Sequence, residues 1–279
     1  MSVAQRVTKS GDVLVYRHPL LVRIVHWVSA LAMFILFLSG LQILNAHPAF
    51  YWGDDSTFAA PLVAIEAWHD DNAELRGRLR IAGSQVDTTG LLGASRSGDG
   101  PMQARAMPSW ITLPAYTDLG AGRSWHFFFA WVFAIAGSVY LLHGAITGRL
   151  KHMLWPSALE VRGVGRSIRD HVRLRVRHEG SASYNILQKL AYLVVLGIFA
   201  PIMVLTGLAM SPAVDAAVPL IADLFGGRQS ARTLHFITTL ALFVFVVIHL
   251  IMVIAAGPIR ELRSMLTGWY LLARRLRTE

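Results

Sequence analysis

The sequence predicts an all-α membrane protein, a four-transmembrane-helix bundle with a long extracytoplasmic loop between its first and second helices. Three observations carry this. The 279 residues are 54% hydrophobic and only 15% charged, with a mean hydropathy of +0.48, too apolar for an ordinary water-soluble domain. Four apolar runs, 22–44, 126–147, 190–211 and 234–256, each reach the ~20 residues that cross a hydrocarbon core. None contains Asp, Glu or Lys, and only Arg23 intrudes, at one extreme end. Finally, the formal charge of +9 is sorted by loop rather than spread along the chain.

Arg6, Lys9 and Arg17 precede the first span, and Arg149, Lys151, Arg162, Arg166, Arg169, Arg173, Arg175, Arg177 and Lys189 lie between the second and third. Arg260, Arg263, Arg274, Arg275 and Arg277 follow the fourth. These segments share one side, so the positive-inside bias puts both termini in the cytoplasm. The connection 46–122 instead carries Asp54, Asp55, Glu66, Asp70, Asp71, Glu74, Asp87, Asp99 and Asp118 and is expected outside. The basic charge is therefore a topology signal, and no nucleic-acid partner is expected. Ala46-His47-Pro48-Ala49 loosely resembles a signal-peptide cleavage site, but the preceding run exceeds a signal core and is expected to remain as a span.

The insertion 46–122 is too long for a simple connection and is expected to be a small folded excursion or a docking platform. Its middle, 83–100, is rich in Gly, Ser and Thr and is expected to be flexible. The aromatics of 108–116 suit either the membrane interface or a partner. The stretch 155–183 is expected to be a basic connector containing an interfacial helix.

Ionisable side chains inside a span are costly and mark functional sites. Here the spans hold His26, His126, His143, His235 and His249. Absence of cysteine excludes thiolate ligation, iron–sulfur clusters and covalent c-type haem. A neutral imidazole is, however, a good axial ligand for haem iron, and a b-type haem between two helices takes one from each. His235 and His249 stand 14 residues apart, within about 40° of one face and roughly 21 Å apart along the axis. One helix thus presents two ligands, one per leaflet. His26 begins the first span on the inner side and His126 the second on the outer side, so depth pairs His26 with His249 and His126 with His235. The alternative is a set of hydrogen-bonded core histidines. His143, about 100° from the His126 face, is a polar group near the inner interface, a quinone or proton contact, or another ligand. The loop histidines, His47 among them, are expected to be solvated.

Arg23, Arg123 and Arg232 each stand three residues before a candidate ligand, on the same face. They are expected to pair with haem propionates, or else to snorkel from helix ends. Gly40, 14 residues after His26, leaves room for a porphyrin, or serves helix packing.

With Arg23-x-x-His26, Leu38-Ser39-Gly40, Gly122-Arg123-x-x-His126, Tyr184-Asn185-x-x-Gln188-Lys189, Leu205-Thr206-Gly207, His235 and His249 in place, the chain resembles a bacterial family. It is similar to the di-haem cytochrome b subunits of membrane-bound nickel-iron hydrogenases and the gamma subunits of respiratory formate dehydrogenases, over all four spans but not the insertion. The resemblance implies two haem b groups on the same four histidines, in the bacterial inner membrane. It also implies a ubiquinone or menaquinone site beside the inner haem, near His249 and formed by Tyr184, Asn185 and Gln188. The expected function is electron transfer between the quinone pool and an extracytoplasmic molybdoenzyme, hydrogenase or cytochrome docked on 46–122, the chain being the subunit of a respiratory oxidoreductase. The alternative is a stand-alone cytochrome oxidising a small reductant such as superoxide. Homo-oligomerisation stays open.

Overall fold

The computed structural model describes residues 4–8, 12–148, 150, 156–172 and 186–272. Tyr184 and Asn185, two of the expected quinone contacts, lie outside the described residues. Among the described residues, four helices are long and apolar enough to cross a membrane: α1 (Leu20–Leu44), α2 (Leu119–Ile146), α5 (Ile186–Ala209) and α8 (Arg228–Ala256). The chain is a multi-pass membrane protein. Helices α2 and α8 begin six or seven residues before their apolar runs, because the polar turns bearing Arg123 and Arg232 are themselves helical. Within α5 the turn Val195–Phe199 is a π-helix immediately before Pro201, which supplies no N–H and would crowd the carbonyl four residues back. Widening that turn lets the helix continue through the proline.

The chain divides into two compact units. The first comprises residues 1–28, 135–200 and 241–279. In it β1 (Gln5–Val7), β2 (Val13–Tyr16) and β9 (Trp269–Leu272) form an antiparallel sheet in which Tyr16 pairs with Trp269. The amphipathic helix α9 (Pro258–Thr267) leads into β9 through Gly268 in the left-handed region. A Cβ there would meet the His18 carbonyl at 2.6 Å, and that same residue's carbonyl accepts from the amides of Arg17 and His18. The entry to α1 is thereby pinned beneath α9.

Among its described residues the basic connector holds two short helices, α3 (Ala158–Arg162) and α4 (Val164–Val172). Ser157 and Glu160 close a capping box at the start of α3. Glu160 also accepts from the buried Lys189 ammonium at the start of α5, at 2.6 Å. Chiefly through that bond, the Glu160 carboxyl falls from 4.5 to about 2. A carboxyl whose folded value lies below its unfolded one stabilises the fold above the unfolded value and loses that contribution as pH falls through the folded one. Amide exchange in 158–172, corrected for intrinsic rates, is therefore expected to accelerate as pH drops from about 4.5 toward 2. Unchanged protection would show that the ion pair does not hold this segment.

The second unit comprises residues 29–134 and 201–240 and contains the whole insertion. There β3 (Ala49–Phe50), β4 (Val63–His69), β5 (Leu75–Ile81) and β6 (Ser84–Asp87) form an antiparallel sheet, and β7 (Ala94–Arg96) pairs with β8 (Met102–Ala104). The strand Leu75-Arg76-Gly77-Arg78-Leu79-Arg80-Ile81 alternates apolar and basic residues, the period of a half-buried strand. Ala82 and Gly83, both at positive φ, make the two-residue turn into β6.

The stretch 83–100, expected to be flexible, carries strands β6 and β7 and buries residues 93–95, while most of its other residues are exposed or half-buried. A Cβ on Gly77 would lie 2.0 Å from the Leu92 carbonyl, and one on Gly93 2.3 Å from that of Glu66. Those glycines serve close backbone approach, which composition alone does not distinguish from flexibility. The acidic character is also partly spent internally, since Arg76 meets Asp70 and Glu74 while Arg78 and Arg80 meet Glu66.

The insertion is fastened to the helix ends rather than tethered. Phe50, Ile65, Ala106 and Met107 share a core with Leu44 of α1, and Phe236 of α8 packs against it. The Gly53 carbonyl accepts from the Gln229 and Ser230 amides in the first turn of α8, and Thr233 Oγ1 donates to the Tyr51 carbonyl at 2.6 Å. Between α5 and α8, the short helices α6 (Pro212–Ala217) and α7 (Leu220–Leu224) close over Ala209 and Ala231.

Candidate functional site

Each unit faces one imidazole with another. In the first, His26 of α1 and His249 of α8 have ring centres 6.3 Å apart; in the second, His126 of α2 and His235 of α8 have the same separation. Two nitrogens sharing one metal ion at about 2 Å each would put the ring centres ~6 Å apart, so both couples have the span of a bis-imidazole clamp. Among the described residues no group of three or more His, Asp or Glu could hold a metal ion.

The second pair is oriented by hydroxyls from two matching triplets. Ser39 Oγ donates to the Ile35 carbonyl at 2.7 Å, leaving its oxygen to accept from Nδ1 of His126 at 3.2 Å. Thr206 Oγ1 donates to the Ile202 carbonyl at 2.6 Å and accepts from Nδ1 of His235 at 2.9 Å. With Nδ1 protonated and engaged, Nε2 of each ring keeps its lone pair, as a metal-binding histidine requires. The glycine after each hydroxyl gives the ring its place: a Cβ on Gly40 would be 3.3 Å from Cε1 of His126, and one on Gly207 3.7 Å from Cε1 of His235. Thus the nearest atom to the bare face of Gly40 belongs to the His126 ring. Both hydroxyls stood in the Leu-Ser-Gly and Leu-Thr-Gly triplets, whose repetition was the available signal.

Around the first pair, Phe245 stacks on His249 at 6.1 Å and Trp27 meets His26 edge-on at 5.4 Å. Trp27 Nε1 and the Arg23 guanidinium donate to the carbonyls of Met265 and Leu266 in α9. The arginines expected to meet propionates are thus engaged in different ways. Arg23 binds α9, Arg232 donates to the His47 carbonyl and Gln229, and the exposed Arg123 lies over the Phe127 ring at 5.4 Å. His143 is half-buried in the last turn of α2, and its carbonyl accepts from Thr147. Gln188 is exposed in the first turn of α5. His47 departs from the expectation of a solvated ring: it is packed against Tyr51 and Phe58, and its Nε2 is buried. Burial, then Arg232, pushes its pKa below the ordinary histidine value.

Apolar membrane helices carrying paired, oriented imidazoles define a b-type cytochrome of the membrane. The chain belongs to the prokaryotic cytochrome b561 family, whose model matches residues 17–268. It is also 28% identical, over 251 residues, to a putative protein-methionine-sulfoxide reductase subunit, YedZ1, of Azospira oryzae. The match covers 90% of this chain and 96% of that one, so most of the insertion falls within it. No solved structure matches. The protein is accordingly a transmembrane cytochrome b of electron transport, and the family implies b-type haem.

Proposed function

We propose that this chain is the electron-carrying membrane subunit of a two-part oxidoreductase, set in the bacterial inner membrane with both termini in the cytoplasm and the insertion outside. The observation that carries the reading is the pair of 6.3 Å imidazole couples, one in each unit. His26 and His249 hold the inner haem b, and His126 and His235 the outer one. When bound, the two haems supply one-electron transfer at iron. The residues hold the imidazoles apart at clamp distance, fix their tautomers through Ser39 and Thr206, and keep water away with apolar helix faces.

Quinone, ubiquinone or menaquinone, is oxidised or reduced beside the inner pair, where Gln188, with Tyr184 and Asn185, supplies polar contacts. The partner docks on the insertion. The named relative favours a methionine-sulfoxide reductase as that partner, which would draw two electrons and two protons per sulfoxide reduced to thioether and water. Fastening of the insertion to α1 and α8 favours a docked enzyme over a stand-alone superoxide oxidase.

The test is purification of the tagged chain from detergent-solubilised membranes. Two haems per chain, reduction by quinol, and a co-purifying soluble reductase are expected. Colourless protein ends the reading; coloured protein that travels alone and is reduced by superoxide returns the alternative.

The Thr206 hydroxyl makes the His235 ring a stronger donor by accepting a hydrogen bond from its Nδ1–H. Thr206→Val is expected to raise the midpoint potential of the outer haem, because a weaker donor stabilises ferric iron less. Potentiometric titration checks this. An unchanged potential in protein retaining both haems would remove Thr206 from the ligand's support.

A further inference from the structure

The insertion buries one cation that neither its own charge ladder nor the helices neutralise. Arg105 is 7% exposed. One guanidinium nitrogen, Nη2, donates to Gln42 Oε1 at 3.1 Å and to Thr112 Oγ1 at 2.7 Å, both neutral acceptors. Its Nε is buried without a partner, and among the described residues no carboxylate lies within ion-pair distance. Burial alone lowers its pKa from the arginine value. A buried charge left without an opposite charge is costly, and a site built around one marks the position of an anion.

The position is specific. Gln42 is 1% exposed and stands three residues after Ser39 on α1, the residue that accepts from the His126 ring. Its side chain crosses Gly122, four residues before His126 on α2, where a Cβ would lie 2.9 Å from Gln42 Cγ. The guanidinium therefore sits about one helical turn beyond the second imidazole pair, toward the helix ends. Charged substituents of a macrocycle in lipid turn toward those ends, away from hydrocarbon. Arg123 and Arg232, the nearer in sequence, are respectively exposed and engaged by a carbonyl, whereas Arg105 keeps a free donor.

We propose that Arg105 is the counter-ion of a propionate on the haem held by His126 and His235, with Gln42 aiming the guanidinium. This rests on the ligand assignment above and adds that the insertion supplies part of the haem site itself. A cation beside the macrocycle favours the reduced, less positive iron. A partner seated on the insertion thus touches the element that sets the potential of its electron donor.

The experiment is Arg105→Gln in the full chain, with redox titration resolved by haem. Both haems retained and the outer one shifted at least tenfold toward the ferric form, a fall of about 59 mV for one electron, is the expected result, with Arg105→Lys falling less. An unchanged potential with both haems present overturns the proposal.

If Arg105→Gln loses the outer haem, the same substitution in a His235→Ala background decides. The proposal expects it to lower Tm in the unaltered chain and not in that background, where the cation already lacks its anion. An equal loss of Tm in both means that Arg105 only fastens the insertion to α1, and overturns the proposal. Retention of both haems by His235→Ala alone overturns the ligand assignment, and this inference with it.

Discussion

Purified His235→Ala protein is expected to carry one haem in place of two, and to lose quinol-driven electron delivery to the outside while the remaining haem is still reducible by quinol. His235 shares its clamp with His126 alone, at 6.3 Å between ring centres, and belongs to the second unit, whereas His26 and His249 belong to the first. Removing one imidazole leaves a single axial bond and a cavity the size of the ring, and cavities of that kind cost roughly 2–5 kcal/mol. The hydroxyl of Thr206 would also lose its partner. Low-temperature spectra of the α-band should lose one component and keep the other unshifted. His26→Ala is the reciprocal case, sparing the component that His235→Ala removes. Loss of both components from either variant would mean that the two sites are not independent, and full retention in both would mean that iron is held elsewhere.

Gly77→Ala is expected to destroy the folded insertion, at a cost of at least about 3 kcal/mol, through overpacking that cannot relax. The added methyl would lie 2.0 Å from the Leu92 carbonyl and 2.7 Å from the Ala94 amide, and both are backbone atoms. No side-chain rotation relieves such a contact. The strand would have to leave β4 or release the segment that carries β7. Limited proteolysis should cut within 60–105 in the variant and not in the parent, and the co-purifying reductase should be lost. The spectral component assigned to His26 and His249, which belong to the other unit, should keep its position. A protease-resistant variant that still binds the reductase would refute this account of the insertion.

The helices and the histidine pairs could be read from sequence because both obey a period. Apolar length marks a span, and 14 residues return a helix to nearly the same face, so His235 and His249 declare themselves. The hydroxyls of Ser39 and Thr206 could not be assigned in the same way, because a hydroxyl on an apolar helix has a role only once its neighbour is known. In the insertion, residues 75–81 did carry a strand period, but their three arginines belong to a segment whose carboxylates dominated the charge pattern. Gly93 looked like a loop glycine because crowding is a property of the pair, absent from either residue alone. Arg105 was hidden by the same logic, since a cation becomes informative when it is buried and unpaired. Of the three polar residues expected to meet quinone, Tyr184, Asn185 and Gln188, only Gln188 is described, and it is exposed.

The sheet that joins β2 to β9 has a consequence for biogenesis. Tyr16 finds Trp269, and His26 finds His249, only after nearly all of the intervening polypeptide has left the ribosome and entered the bilayer. Contacts so distant along the chain form late. Both histidine couples are therefore complete only once α8 has been made: a product that stops before it keeps His26 and His126 and lacks the partner of each.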